Sequence, residues 1–179
     1  QITIPSSVTS IGSNPFVGCS HLENLFVDSG NPKYVCINAV LYTKDIQTLI
    51  YFPCKIKQTQ YTIPASVTSI GNDAFSGCTS LTQITIPSSV TSIGDNAFSK
   101  CTSLTQITIP SSVISIGDFA FSECTSLTQI TIPSSVTSIG SNPFVGCSNL
   151  GTIFVDSDNP NYVCINDVLY TKDLQTLIR

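Results

Sequence analysis

The heptapeptide Leu81-Thr82-Gln83-Ile84-Thr85-Ile86-Pro87 returns unchanged as Leu104 to Pro110 and again as Leu127 to Pro133, at a constant step of 23 residues. The frame around it keeps the same step. Gly94, Gly117 and Gly140 do so, as do Phe98, Phe121 and Phe144, and the cysteines Cys78, Cys101, Cys124 and Cys147. Self-similarity at a period of 20–50 residues is the signature of a solenoid or other repeat array. Pro5 and Pro64 are 59 apart, 36 more than the step, so one repeat carries an insertion. A second insertion opens near Asp156. Residues 1–50 align with 129–178 at an offset of 128, with 42 of the 50 positions identical.

One 23-residue unit cannot stand alone. Its expected inward residues are Leu81, Ile84, Ile86, Val90, Ile93, Ala97, Phe98 and Cys101. Burying the larger ones yields about 1.5–3 kcal/mol each. Ordering the unit costs about 1.5 kcal/mol per residue. Stacked units cover each other's open faces, which closes that gap. Within a unit, Gln83-Ile84-Thr85-Ile86 alternates polar and apolar and reads as a short strand with one buried face. Pro87 ends it, having no N–H for a ladder. Val90 and Ile93 point inward from a further extended segment. Gly94 then reads as a sharp turn, and Asp95 as the cap of a helical turn, Asn96-Ala97-Phe98-Ser99. Ser13, Asn72, Asp118 and Ser141 hold the equivalent capping position. The expectation is a right-handed curved stack of about seven coils over residues 1–179, with parallel strands on the concave face and helical turns opposite.

The insertions, about 28–59 and 156–179, read differently. Tyr34-Val35-Cys36-Ile37, Val40-Leu41-Tyr42-Thr43 and Thr48-Leu49-Ile50-Tyr51-Phe52 are three β-prone runs, the last two joined by the hairpin turn Lys44-Asp45-Ile46-Gln47. Five of the six tyrosines lie in these modules, and so do the basic residues Lys33, Lys44, Lys55, Lys57, Lys172 and Arg179.

Composition narrows the class. Hydrophobic residues make up 41% of the 179 and charged residues 10%, which excludes a disordered chain. The net charge of -4 offers no basic footprint for nucleic acid or an anionic membrane. No apolar run approaches the ~20 residues of a spanning helix. Methionine is absent, and any signal peptide is expected outside this chain.

Catalytic, metal-binding and cofactor chemistry is not expected. His21 is the only histidine, and Asn149 replaces it 128 residues on. No Cys-x-x-Cys pair, phosphate loop or nucleophile elbow occurs. Asp95 and Asp118 read as caps and the Pro-Ser-Ser corners as turns. Cys19, Cys78, Cys101, Cys124 and Cys147 share one inward register, so all eight cysteines are expected reduced and mostly buried, packed as small hydrophobes.

The frame Cys-x-x-Leu-x-x-Ile-x-Ile-Pro-x-x-Val-x-x-Ile-Gly-x-x-Ala-Phe, as at Cys78 to Phe98, resembles the BspA-like, or Treponema pallidum-type, leucine-rich repeats. The module from Asn31-Pro32-Lys33-Tyr34 to Tyr51-Phe52-Pro53 resembles the hairpin segment embedded in the same arrays. Ala39 and Asp167 depart from that pattern, standing where glycine is common. The resemblance implies a leucine-rich-repeat solenoid on a cell surface or secreted, used for adhesion and protein binding.

The outward strand residues are the candidate binding face: Gln83/Thr85, Gln106/Thr108 and Gln129/Thr131, with Gln1/Thr3 and Gln60/Thr62 equivalent. Phe26 and Phe154 replace the threonine at the two insertion-bearing coils. They are either exposed anchors or covered by the emerging hairpin. The expected partner is a host or matrix protein on the concave face, or a second copy docked end to end. The alternative is an intracellular or filament-associated structural scaffold. The absence of any Asn-x-Ser/Thr sequon in so Ser/Thr-rich a chain favours that second reading.

Overall fold

The structure is a computed structural model that describes residues 1–12, 15–16, 18–19, 22 and 24–178. Ser13, His21 and Arg179, named above, lie outside the described residues. The chain winds into about six stacked coils of ~23 residues. On one side, the alternating Gln-Ile-Thr segments form parallel pairs: β1 (Ile2–Ile4) with β2 (Leu25–Val27), β6 (Gln60–Thr62) with β8 (Gln83–Thr85), and β11 (Gln129–Ile132) with β13 (Thr152–Val155). Residues 104–110 copy the heptapeptide without strand pairing, yet Ile107 and Ile109 are buried as the alternation requires.

A second side holds the longest sheet. The Ser-Ile pairs β7 (Ser69–Ile70), β9 (Ser92–Ile93), β10 (Ser115–Ile116) and β12 (Ser138–Ile139) run parallel and in register. The first hairpin module continues this sheet. Its strands are β3 (Tyr34–Ile37), β4 (Val40–Thr43) and β5 (Thr48–Tyr51), and β5 lies parallel to β7. All three β-prone runs of the module are therefore strands.

The third side corrects the expectation of helical turns. Asp73, Asn96, Phe119 and Asn142 all sit at φ of +50° to +54°, which stops a right-handed helix from propagating. The backbone bonds sideways instead. Asn96, Phe98 and Lys100 N–H donate to Asp118, Ala120 and Ser122 carbonyls of the next coil, each at 2.8 Å. Asp95 and Asp118 follow the same rule. They do not cap their own turn: Asp95 Oδ1 accepts the Asp118 N–H at 2.9 Å, and Asp118 Oδ1 accepts the Ser141 N–H at 2.7 Å. The described helix is one 3₁₀ turn, Cys54–Ile56. Gly94, too, has a different role from the one read in the sequence. Its φ is not left-handed, but a Cβ there would stand 2.7 Å from the Asn72 backbone nitrogen of the coil below. Glycine is required for close approach.

The core runs along the stack axis. Phe52, Phe75, Phe98, Phe121 and Phe144 form one column of rings, with successive centroids 5.1, 5.2, 5.4 and 5.8 Å apart. Beside it, Cys101, Cys124 and Cys147 are buried, each donating its thiol to the carbonyl of Phe75, Phe98 or Phe121. Burial pushes the Cys101 thiol up to about 12, and the Cys124 thiol is raised first by a hydrogen bond with Cys147 and then by burial.

Two cysteines overturn the all-reduced expectation. Cys54 and Cys78 form a disulfide, with Cα atoms 4.5 Å apart. Phe52 enters the ring column from the end of the hairpin module, so Cys54, two residues on, arrives beside the Cys78 position of the next coil. That neighbour is set by the module's exit path, which the 23-residue register does not show. Cys19, also placed in the column, is exposed.

Candidate functional site

The outward strand face is built by the two-residue period. Ile84, Ile107 and Ile130 point into the core, so the residues flanking them must point out. Gln83, Thr85, Gln106, Thr108, Gln129 and Thr131 are all exposed, as are Gln1, Thr3, Gln60 and Thr62. Parallel pairing sets Gln60 beside Gln83 and Thr62 beside Thr85, so like residues stack into two polar rows. This face is nearly uncharged. It can donate and accept hydrogen bonds, but it brings no acid, base or nucleophile together.

Phe26 and Phe154 interrupt the rows. Phe26 pairs with Thr3 and Phe154 with Thr131. The hairpin does not fold over either ring: they are 49% and 52% exposed. Single exposed apolar residues are common, but here the same ring is exposed twice at one repeat position.

The module beside each ring is anchored by one buried asparagine. Asn31 Nδ2 donates to the Pro5 and Val8 carbonyls, and its Oδ1 accepts from the Lys33 and Tyr34 N–H groups. Asn159 repeats all four bonds with Pro133, Val136, Asn161 and Tyr162. Tyr34 and Tyr162 hydroxyls then accept the Ile11 and Ile139 N–H groups. Each ring is thus held at a fixed place relative to its hairpin. At the second copy, a cleft of about 390 Å³ opens between β13 and the strands β14 (Tyr162–Ile165) and β15 (Val168–Thr171), lined among others by Phe154, Asp156, Asp167 and Lys172. The sequence reading missed these charged neighbours. The signal was present in the eight differences between the copies, among them Gly30/Asp158, Lys33/Asn161 and Ala39/Asp167.

A wider groove, about 1010 Å³, crosses the turn side and is lined by Tyr51, Cys54, Lys57, Ser76 and Lys100 among others. Lys100 pairs with Glu123 at 3.7 Å. Asp73, on its wall, carries a carboxyl raised above the usual range by burial and then by the Asp95 charge. This groove forms only when coils stack, so no single repeat announces it. Among the described residues, no cluster of three or more His, Cys, Asp or Glu side chains is arranged to hold a metal. No described helix is long and apolar enough to cross a membrane.

The chain is similar to several solved bacterial proteins. A leucine-rich repeat protein from Eubacterium ventriosum is 35% identical over 88% of this chain and 43% of its own, with a TM-score of 0.75. The pneumococcal vaccine antigen PcpA is 26% identical over 89% of this chain and 39% of its own, with a TM-score of 0.81. A leucine rich cell surface protein from Faecalibacterium prausnitzii is 31% identical over 87% of this chain and 48% of its own, with a TM-score of 0.69. The chain therefore spans less than half the length of these relatives. No curated protein matches it. The model of the BspA type leucine rich repeat region matches residues 1–56 and 43–163 in six copies, and on the strength of that match and of the stacked coils the chain belongs to the BspA-type leucine-rich repeat family.

Proposed function

We propose that the chain is a non-enzymatic protein-binding module of a cell-surface or secreted protein, and that it engages its partner through the Gln/Thr strand face with Phe26 and Phe154 as anchors. The observation that carries this reading is the double exposure of the phenylalanine ring at one super-repeat position, flanking a polar face without titratable groups. Aromatic side chains are enriched among residues that dominate binding energy, and polar rows around them exclude water and fix register. A relative that is a cell surface protein and another that is a vaccine antigen support the surface location.

Beads coated with the chain, applied to an immobilised tissue-matrix extract, test the reading. Combined substitution of Thr85, Thr108 and Thr131 by glutamate introduces three charges on the face without touching the core. Adhesion is expected to fall at least tenfold while the circular dichroism spectrum is unchanged. Adhesion that survives this variant and is lost instead on substituting Lys57 and Lys100 would move the site to the turn-side groove.

A further inference from the structure

The two hairpin modules share a fold and an exposed ring, but not a charge. Counting from Asp28 to Ile50, the first carries Asp28, Lys33, Lys44 and Asp45 and is neutral. Its copy from Asp156 to Ile178 carries Asp156, Asp158, Asp167, Lys172 and Asp173 and has a net charge of -3. Three substitutions make the whole difference, and each moves the charge the same way. Asp167 lies at the β14–β15 turn and lines the cleft whose other wall holds Phe154 and Asp156. Lys172 is also at the cleft, with its Nζ directed at the Asn159 carbonyl 3.3 Å away.

One of the three changes has a structural counterpart: the Asn161 Nδ2 donates to the Thr137 carbonyl at 2.8 Å; nothing in the structure explains the other two. Asp167 adopts φ +60° and Ala39 φ +66°, so the turn is the same with either side chain. The Asn31 and Asn159 anchors are the same as well. The backbone is held constant while one carboxylate, Asp167, is added to the cleft beside Phe154 and Asp156. A half-exposed aromatic face attracts a cation through its quadrupole, and adjacent carboxylates add Coulomb attraction and hydrogen-bond acceptors for a guanidinium.

Resting on the protein-binding reading above, we propose that the Phe154 cleft is the subsite for a cationic side chain, arginine above all, of an extended peptide segment lying along the strand face. The ring stacks with the guanidinium plane, and the Asp156 and Asp167 carboxylates accept its N–H groups. The Phe26 site, with Lys33 and Ala39 in its module, takes a neutral or apolar side chain. The two modules thus read different residues of one partner, about a super-repeat apart.

The test uses the chain labelled with ¹³C at phenylalanine, its ring signals assigned with Phe26→Leu and Phe154→Leu variants. The probe is acetyl-Gly-Arg-Gly-amide, compared with the same peptide carrying citrulline, which replaces the guanidinium by an uncharged urea. A saturable shift of the Phe154 signal is expected with the arginine peptide, at least about threefold larger than that of Phe26 or that caused by citrulline. Asp167→Ala reproduces the turn already present at Ala39 and is expected to weaken the arginine response about threefold. Equal responses at the two rings, equal responses to arginine and citrulline, or no saturable shift would overturn the subsite. None of these would bear on the adhesion measured with the threonine variant, so the two readings fail separately.

Discussion

The two hairpin modules are nearly the same sequence in two surroundings. On the side that faces the preceding coils they match: Leu41 and Leu169 are both fully buried, and both modules are tied down by the same asparagine and tyrosine bonds. On the opposite side they diverge. Val40, Tyr42, Leu49 and Phe52 of the first module pack into the main core with Ile63, Val67, Ile70 and Phe75 of the following coil. The equivalents Val168 and Tyr170 are only partly buried, and Leu177 is 61% exposed where Leu49 is 0%. The first module is thus a partition with core on both faces, since Leu41, Tyr34, Cys36, Ile50 and Tyr51 join a separate cluster with Ile4, Phe16 and Leu25. Identical residues contribute according to what stacks on them. That is how a solenoid differs from a globular core.

Leu49→Ala empties a fully enclosed site and should cost about 2–5 kcal/mol in urea unfolding. In the 179-residue chain, where its side chain is 61% exposed, Leu177→Ala at the equivalent position should stay within about 0.5 kcal/mol. Equal costs would mean that the module's stability is intrinsic.

Next comes the disulfide, which joins the exit of the first module to the next coil across a sequence separation of 24. Cys54→Ala should destabilise the chain by about 3 kcal/mol. Alkylation of the denatured, unreduced protein should modify six of its eight cysteines; eight modified thiols would refute the bridge.

What the sequence made legible follows the same division. Repeat register, inward residues, all three strands of the module and the outward Gln/Thr rows come from short-range alternation and from the 23-residue step. The helical turn was misread because Asp95-Asn96-Ala97-Phe98 has a good cap and helix-tolerant residues. What decides against helix is the bonding of alternate N–H groups to the next coil, a tertiary term absent from one repeat. The Cys54–Cys78 pairing was hidden for a related reason. It depends on where the 36-residue insertion delivers the chain, whereas the register of Cys101, Cys124 and Cys147 does not. The exposure of Phe26 and Phe154 could not be decided from sequence, because it depends on the angle at which the hairpin leaves the strand.

Smaller effects sharpen what is local. Ala39 holds φ +66° in the turn between β3 and β4, a region unfavourable to any residue with a Cβ. Ala39→Gly should stabilise the chain by about 0.5–1 kcal/mol, and Asp167→Gly should do the same in its own turn. A loss of stability would mean that the alanine methyl makes packing contacts worth more than the strain.

The smallest effect should be equal in the two copies. Asp45 and Asp173 are held below the usual carboxylate range, first by the hydroxyls of Thr43 and Thr171 at 2.6 Å and then by the N–H groups of Gln47 and Gln175. A depressed folded pKa stabilises above the unfolded value, near 3.9, and the contribution is lost as pH falls through the folded value. Carboxyl titration by NMR should show both midpoints below that of a free aspartate and close to each other. Well-separated midpoints would show that the turn senses its surroundings.

The most direct test of the account is amide hydrogen exchange of the 179-residue chain in the two central module strands, Val40–Thr43 and Val168–Thr171. If the covering coil decides, protection in the first should exceed that in the second by at least about a hundredfold, since enclosed strands open only with larger units of the structure. Equal protection in the two strands would contradict it, and would place the stability of each module in its own sequence.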